Sequence, residues 1–146
     1  MGFGVSGSTA IIFLGVLIAT GTLYTATSNA AENVLDAQDA ESERALERTN
    51  TEITIANATY NSTSDVLSVN VTNTGATTLE VDETTLLVDN EYTAPGSTSV
   101  DGDTTTNLWY AGQNLTMNYT TTTTPSRVKV VTSTGVAVTN ETVVVS

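Results

Sequence analysis

A long N-terminal α-helix, made of a membrane span and its extension, followed by an immunoglobulin-like antiparallel β-sandwich, is the mostly-β architecture that this sequence predicts. Three observations predict it. Residues 1–31 carry no charged side chain and enclose an apolar block; residues 28–48 contain neither Gly nor Pro; and 25 of the 97 residues from Asn50 to Ser146 are Thr, interleaved with Val, Leu and Ile. The divisions that follow are 1–27 for a membrane-spanning or assembly helix, 28–49 for a helical extension and 50–146 for the head.

The apolar block is Ile11, Ile12, Phe13, Leu14, Val16, Leu17 and Ile18, set within an uncharged stretch from Val5 to Leu23. About 19 residues at a helical rise of ~1.5 Å come close to the ~30 Å of a bilayer core. Gly7, Gly15 and Gly21, with Thr9, Thr20 and Thr22, dilute the hydrophobicity in the manner of helices that pack on other helices. Three readings stay open for this segment: a removable secretory signal, a plain membrane anchor, and an assembly helix of the kind found in pilus-like subunits. A secretory signal normally begins with a basic region, and Met1-Gly2-Phe3-Gly4 has no Lys or Arg.

Beyond the block the same helix continues. Ala, Glu, Leu, Gln and Arg dominate up to Arg48 and all favour the helix, so one unbroken rod is expected from near Ser8 to near Thr49. Ala31, Val34, Leu35, Gln38, Ser42, Ala45 and Leu46 recur at helical spacing, which is either a self-association seam or a solvated spacer. Glu41, Glu43 and Glu47 lie within helical reach of Arg44 and Arg48, predicting small ion-pair contacts.

After Asn50 the periodicity changes to two. Ile53-Ile55, Leu67-Val69-Val71, Leu79-Val81, Leu86-Val88, Leu108 with Tyr110, Leu115-Met117-Tyr119, Val128-Val130 and Val136-Val138 alternate as half-buried strands do. Asn61-Ser62, Asn73-Thr74-Gly75, Asp89-Asn90, Pro95-Gly96, Asp101-Gly102, Ala111-Gly112-Gln113, Pro125-Ser126 and Thr134-Gly135 separate them as turns. About seven to nine short strands with one apolar face each must bury those faces on one another, which makes a sandwich with a single core.

Charge and missing residue types bound the chemistry. Sixteen acids against three Arg and one Lys give a net charge of −12, which argues against nucleic acid as a partner and fits a protein working in high salt. With no Cys and no His there is no thiol nucleophile, imidazole base or ordinary zinc site, so no catalytic residue, metal, cofactor or small-molecule substrate is expected. Asp101-Gly102-Asp103 and Glu80, Asp82, Glu83 lack the spaced ligands of a calcium loop and read as solvated turns. Six Asn-x-Ser/Thr acceptors, at Asn57, Asn61, Asn70, Asn114, Asn118 and Asn140, all fall in the head. With Glu32, Asp36 and Asp39 directly after the span, this is the pattern of a single-pass membrane protein whose head lies outside the cell. Trp109, the single Trp, and Tyr110 are candidate interface residues, because aromatics anchor interfaces. The competing reading puts Trp109 in the sandwich core.

The order of these parts resembles the archaeal flagellin-like proteins, most closely the F and G accessory subunits of the archaellum motor, with the F type favoured on residues 1–15. The likeness rests on Met1-Gly2-Phe3-Gly4-Val5-Ser6 ahead of the apolar block and the acidic helix. In the head it rests on Leu67-Ser68-Val69-Asn70-Val71-Thr72-Asn73-Thr74-Gly75, Leu86-Leu87-Val88-Asp89-Asn90-Glu91-Tyr92, Leu108-Trp109-Tyr110-Ala111-Gly112-Gln113 and Pro125-Ser126-Arg127-Val128-Lys129-Val130-Val131. The resemblance implies a stationary motor element, rooted in the membrane, whose head in the pseudo-periplasm holds the surface-layer protein. It also implies another archaellum accessory subunit as partner, with a homo-oligomer as a further arrangement and, given the acidity, a haloarchaeal source. Relatives processed by the prepilin-type peptidase carry basic residues ahead of the block, and this chain does not. A filament-forming pilin-like subunit and a membrane-anchored extracellular adhesion module are the alternatives.

Overall fold

The structure, a computed structural model, describes residues 3–146; Met1 and Gly2, the start of the uncharged segment, lie outside the described residues. Helix α1 spans Phe3–Asn50 without interruption, so the expected rod is present and slightly longer, about 72 Å at ~1.5 Å per residue. Its Thr residues are tolerated in the apolar half because their hydroxyls return to the helix. Thr20, Thr25 and Thr27 donate to the carbonyls of Val16, Gly21 and Leu23 at 2.6, 3.0 and 2.8 Å, leaving no bare hydroxyl to be desolvated.

The chain divides into two compact units, one running through Glu43 and the other Arg44–Ser146. In the second unit eleven strands follow the helix end: β1 Ile53–Asn61, β2 Val66–Asn73, β3 Leu79–Glu80, β4 Thr85–Val88, β5 Glu91–Thr93, β6 Ser97–Val100, β7 Leu108–Trp109, β8 Asn114–Thr120, β9 Val128–Val131, β10 Ala137–Asn140 and β11 Val144–Val145. They form a five-stranded sheet in the order β11-β1-β2-β8-β6, a four-stranded sheet β10-β9-β4-β5, and the small pair β3-β7. The architecture is thus the expected sandwich, with one departure. The C-terminal β11 lies parallel to β1, Thr59 beside Val144 and Tyr60 beside Val145; every other pairing is antiparallel.

Alternation fills the space between the sheets. Leu67, Val69 and Val71 of β2, Leu115 and Met117 of β8, Leu86 of β4 and Val128 and Val130 of β9 are all essentially inaccessible. In β1 the register slips between Ile55 and Asn57, a bulge that puts two residues opposite one and reverses which face the chain presents. Ile53 is therefore buried before it and Ala58 and Tyr60 after it. The unforeseen strands β5, β6 and β11 are short, and Ser97–Val100 carries a single apolar residue, so periodicity had little to register there.

The helix end is seated on the head by hydrogen bonds to its last carbonyls. The amides of Ala76 and Thr77 donate to Asn50 O at 2.8 and 3.2 Å, and those of Thr74 and Gly75 to Glu52 O at 2.9 Å each. Thr51 Oγ1 and Thr77 Oγ1 both reach Glu47 O, at 2.6 and 3.3 Å. The Glu47 and Asn50 carbonyls are among those a helix cannot satisfy internally, and the turn at residues 74–77 reaches both while also holding Glu52 O just past the helix. Only Gly fits at position 75, since a Cβ there would sit 2.4 Å from Glu52 N and 2.5 Å from Asn50 O.

Asp89 organises the opposite loops. Asp89 and Asn90 have φ of 51° and 73°, which makes the β4–β5 connection the primed turn preferred in two-residue hairpins. The Asp89 carboxylate accepts from Ser126 Oγ at 2.6 Å and from the amides of Ser126 and Arg127, each at 3.0 Å. The Ser126 hydroxyl, the largest single influence, holds its carboxyl below the usual carboxylate range; burial, next in size, opposes it, and the two amides and the charge of Arg127 add to the lowering.

Two outcomes follow for stability. Gly75→Ala should cost about 2–4 kcal/mol in denaturant unfolding, because backbone must move to admit the methyl, whereas Gly96→Ala should stay within about 0.5 kcal/mol; Gly96 has its nearest neighbour at an ordinary 3.7 Å. Since the folded carboxyl of Asp89 titrates lower than the unfolded one, its contribution is complete above the ordinary carboxylate value of about 3.9 and is lost as pH falls through the folded value. Thermal melts of the wild type and Asp89→Asn should differ at neutral pH and converge in acid.

Candidate functional site

Two surfaces carry the features on which a function can be built: the apolar half of α1 and the loop ends of the head. On α1, Ile11, Ile12, Phe13, Leu14, Val16, Leu17 and Ile18 are all exposed. At about 100° per residue, seven apolar side chains in an eight-residue run surround the helix rather than form a stripe, the arrangement of a lipid-facing span and not of a surface helix on a soluble core. The helix has a stretch of mean hydropathy 1.8 and is long and apolar enough to cross a membrane. Gly15 has open space around it, so with Ala19 it offers a small-residue face to a neighbouring helix.

Past the span the helix surface becomes acidic. Val34, Leu35 and Leu46 stay exposed. The expected pairing of Arg44 and Arg48 with the neighbouring glutamates is not formed: among the described residues the one ion pair within 4.0 Å joins Arg127 to Glu141. Both Arg side chains instead border a cleft of about 370 Å³ lined by Glu47, Glu83, Ser133 and Thr134, and Arg48 Nη2 lies 3.4 Å from where a Cβ on Gly135 would stand. Cations at this end of the helix favour its partial negative charge without a specific carboxylate partner.

Trp109 and Tyr110 separate. Trp109 is fully buried, with its neighbours Leu108 and Tyr110 exposed, because consecutive residues of β7 point to opposite sides. Trp109 is therefore a core residue and not an interface residue. It pairs with Leu79 across β3, and its Nε1 has no hydrogen-bond partner among the described residues, a cost of about 1–3 kcal/mol set against burial of the largest ring in the chain. Tyr110, 53% exposed, remains available to a partner. Its amide is held by Gln113 Oε1 at 2.7 Å.

Asn73 is the residue that pattern reading placed in a turn without seeing its role. It is completely buried. Its Nδ2 donates to Thr77 O at 2.8 Å and Trp109 O at 3.3 Å, while its Oδ1 accepts from the Gly75 amide at 3.1 Å. One side chain thus joins the turn that caps α1 to the strand that carries Trp109. The Asn-Thr-Gly spacing was the available signal, since Asn often hydrogen-bonds its own backbone two residues on.

The six glycan acceptors fall into two settings. Asn57, Asn70, Asn114 and Asn118 lie on β1, β2 and β8, the three interior strands of the five-stranded sheet, and share one outer face. Asn61 and Asn140 are the last residues of β1 and β10. In the Asp101-Gly102-Asp103 turn, Asp103 Oδ1 accepts from the Thr105 amide and hydroxyl at 2.8 and 2.7 Å, and Asp101 Oδ1 from the amide of Asn114 at the start of β8 at 3.1 Å.

Comparison with known proteins gives three findings. No curated protein sequence matches this chain. The solved structure of the archaellum periplasmic stator protein FlaG from Sulfolobus acidocaldarius is similar over 62% of this chain and 97% of that one, at 19% identity and a TM-score of 0.45. The archaeal-type flagellin model matches residues 2–142, the helix together with nearly all of the head, and the chain accordingly belongs to that family.

Proposed function

We propose that this protein is a stationary accessory element of the archaellum motor, of the F type, rooted in the membrane by α1 with its head outside the cell against the surface-layer protein. The observation that carries this reading over filament formation is the charge of the second half of α1. Between Ser28 and Thr49 six carboxylates face two arginines, and these residues are exposed. Bundling many such helices in a filament core would bring like charges together in a desolvated setting, which is costly. A single anchored helix keeps them in water.

The seat of the helix on the head suits a part that must bear load. Backbone hydrogen bonds at Asn50 and Glu52 and the close approach of Gly75 fix the helix end in one geometry. Tyr110, exposed beside the buried Trp109, is the residue assigned to contact with the surface layer. The net charge of −12 supports a haloarchaeal setting, in which salt screens the self-repulsion within a few ångströms.

The filament reading keeps one observation in its favour, the match to the flagellin family over 2–142. Deletion of the gene separates the two. Cells that keep intact filaments but stop swimming support the motor element; loss of the filaments themselves supports the subunit, and unchanged swimming removes both. In pull-downs with surface-layer protein, Tyr110→Ala should weaken capture about tenfold or more, the loss of a typical interface anchor, with an unchanged melting temperature. Trp109→Ala should instead lower stability by about 3–5 kcal/mol.

A further inference from the structure

Of the six glycan acceptors, two have a conformation and surroundings that the other four lack. At Asn61 the Oδ1 accepts the amide of Thr63 at 2.9 Å and that of Ser64 at 3.0 Å. At Asn140 the Oδ1 accepts the amide of Thr142 at 2.8 Å. In each case the hydroxyl residue of the acceptor triplet folds back over the Asn, the turn that Asn side chains make with backbone two residues on. The Oδ1 is thereby occupied and the Nδ2, the atom that would carry a sugar, is left without an intramolecular partner among the described residues.

The four strand acceptors make no such turn; their side chains bond across strands instead, through Nδ2 at Asn70 and Asn118 and through Oδ1 at Asn57, Asn70 and Asn114. Asn70 donates from Nδ2 to Asn57 Oδ1 at 2.6 Å and accepts at Oδ1 from Thr116 Oγ1 at 2.6 Å. Thr116 is itself the hydroxyl residue of the Asn114 triplet, and Thr72, that of the Asn70 triplet, donates to Asn114 Oδ1 at 2.6 Å. Asn118 Nδ2 is held by Ser97 Oγ at 3.2 Å. Each of these triplets also lies in a strand with a hydrogen-bonded neighbour on both sides. A transferase must draw the triplet into its own cleft, and that would break ladders on both flanks. Asn61 and Asn140 close their strands and run into loops. β10 is the edge of its sheet, so Asn140 has a ladder on one flank only. Beyond Asn61 the opposing bonds on the second flank are those of Ser62 to the C-terminal residue, its amide to Ser146 O at 3.0 Å and its hydroxyl at 3.3 Å.

We propose that Asn61 and Asn140 are N-glycosylation sites and that Asn57, Asn70, Asn114 and Asn118 are not. This rests on the reading that the head lies outside the cell. The donor is an oligosaccharide linked through C1 to a polyprenyl phosphate. Nδ2 attacks C1, the Nδ2–C1 bond forms as the C1–O bond breaks, the electron pair leaves on the phosphate oxygen, and the displaced Nδ2 proton passes to a carboxylate of the transferase. The products are the glycosylated amide and the free polyprenyl phosphate, with no change of oxidation state.

The test is glycopeptide mass spectrometry of the full chain purified from the cells that make it, with fragmentation that preserves the sugar linkage. Expected are glycans at Asn61 and Asn140 and bare amides at the other four. Thr63→Val and Thr142→Val should each remove one glycan mass, and Thr59→Val none. Bare Asn61 and Asn140, or a glycan on any of the four strand acceptors, overturns the proposal. Protease added to intact cells tells the two failures apart. A head that is cleaved yet unglycosylated sinks this inference alone, whereas a protected, unglycosylated head sinks the external placement with it.

Discussion

The satisfaction of the carbonyls at the C-terminal end of α1 is the constraint on which the rest of the head depends. A helix of any length leaves its last carbonyls unpaired, and common solutions are water or a glycine immediately after the helix. Here residues 51 and 52 turn straight into β1, and no glycine follows the helix end. The partners of Asn50 O therefore come from across the head, from the amides of Ala76 and Thr77, while those of Thr74 and Gly75 hold Glu52 O just beyond the helix. This places the β2–β3 connection against the helix end.

Asn73 extends that constraint into the core. Its amide takes the Gln113 carbonyl and its carbonyl takes the Gly112 amide, at 3.0 and 2.7 Å, so the β7–β8 turn is tied to the capping turn as well. The side-chain bonds to Thr77 and Trp109 close the arrangement. A buried Asn is costly unless its groups are matched, and here they are. Helix cap, turn and the Trp109 strand are consequently one hydrogen-bonded unit. With no disulfide available in a chain without Cys, such a unit supplies positional definition that packing of Val and Leu alone would leave looser.

Much of this architecture was readable from local pattern. The rod could be read because Ser28 to Arg48 holds no helix breaker, and the longer strands because Leu67-Val69-Val71 and Leu115-Met117 alternate without interruption. What escaped was decided by partners distant in sequence. Ser97–Val100 becomes a strand because β8 offers an edge to it, and Val144–Val145 lies parallel because Tyr60 accepts the Ser146 amide at 2.9 Å. The two roles of Trp109 and Tyr110 were distinguishable only once the facing of β7 was fixed. Among the acceptor sites, the triplets were visible in sequence, but the difference between a loop end and an interior strand was not.

The acidity of the chain and the sandwich fold make opposing demands, and the structure reconciles them by position. Like charges directly across a sheet are destabilising, and the five strands of the larger sheet contain no ionisable Asp, Glu, Lys or Arg at all. The carboxylates of the head lie mainly in turns, where several do conformational work. Among the described residues the non-glycine ones with positive φ are Asp65, Asp89, Asn90 and Asp101, and Asp and Asn are the side chains that best tolerate that region. A Thr and Asn surface completes the sheet where carboxylates are absent, its groups paired with one another across strands. High negative charge in the head is thus carried largely by the same residues that make the turns, so the fold carries it without placing repulsion inside the ladders of its larger sheet.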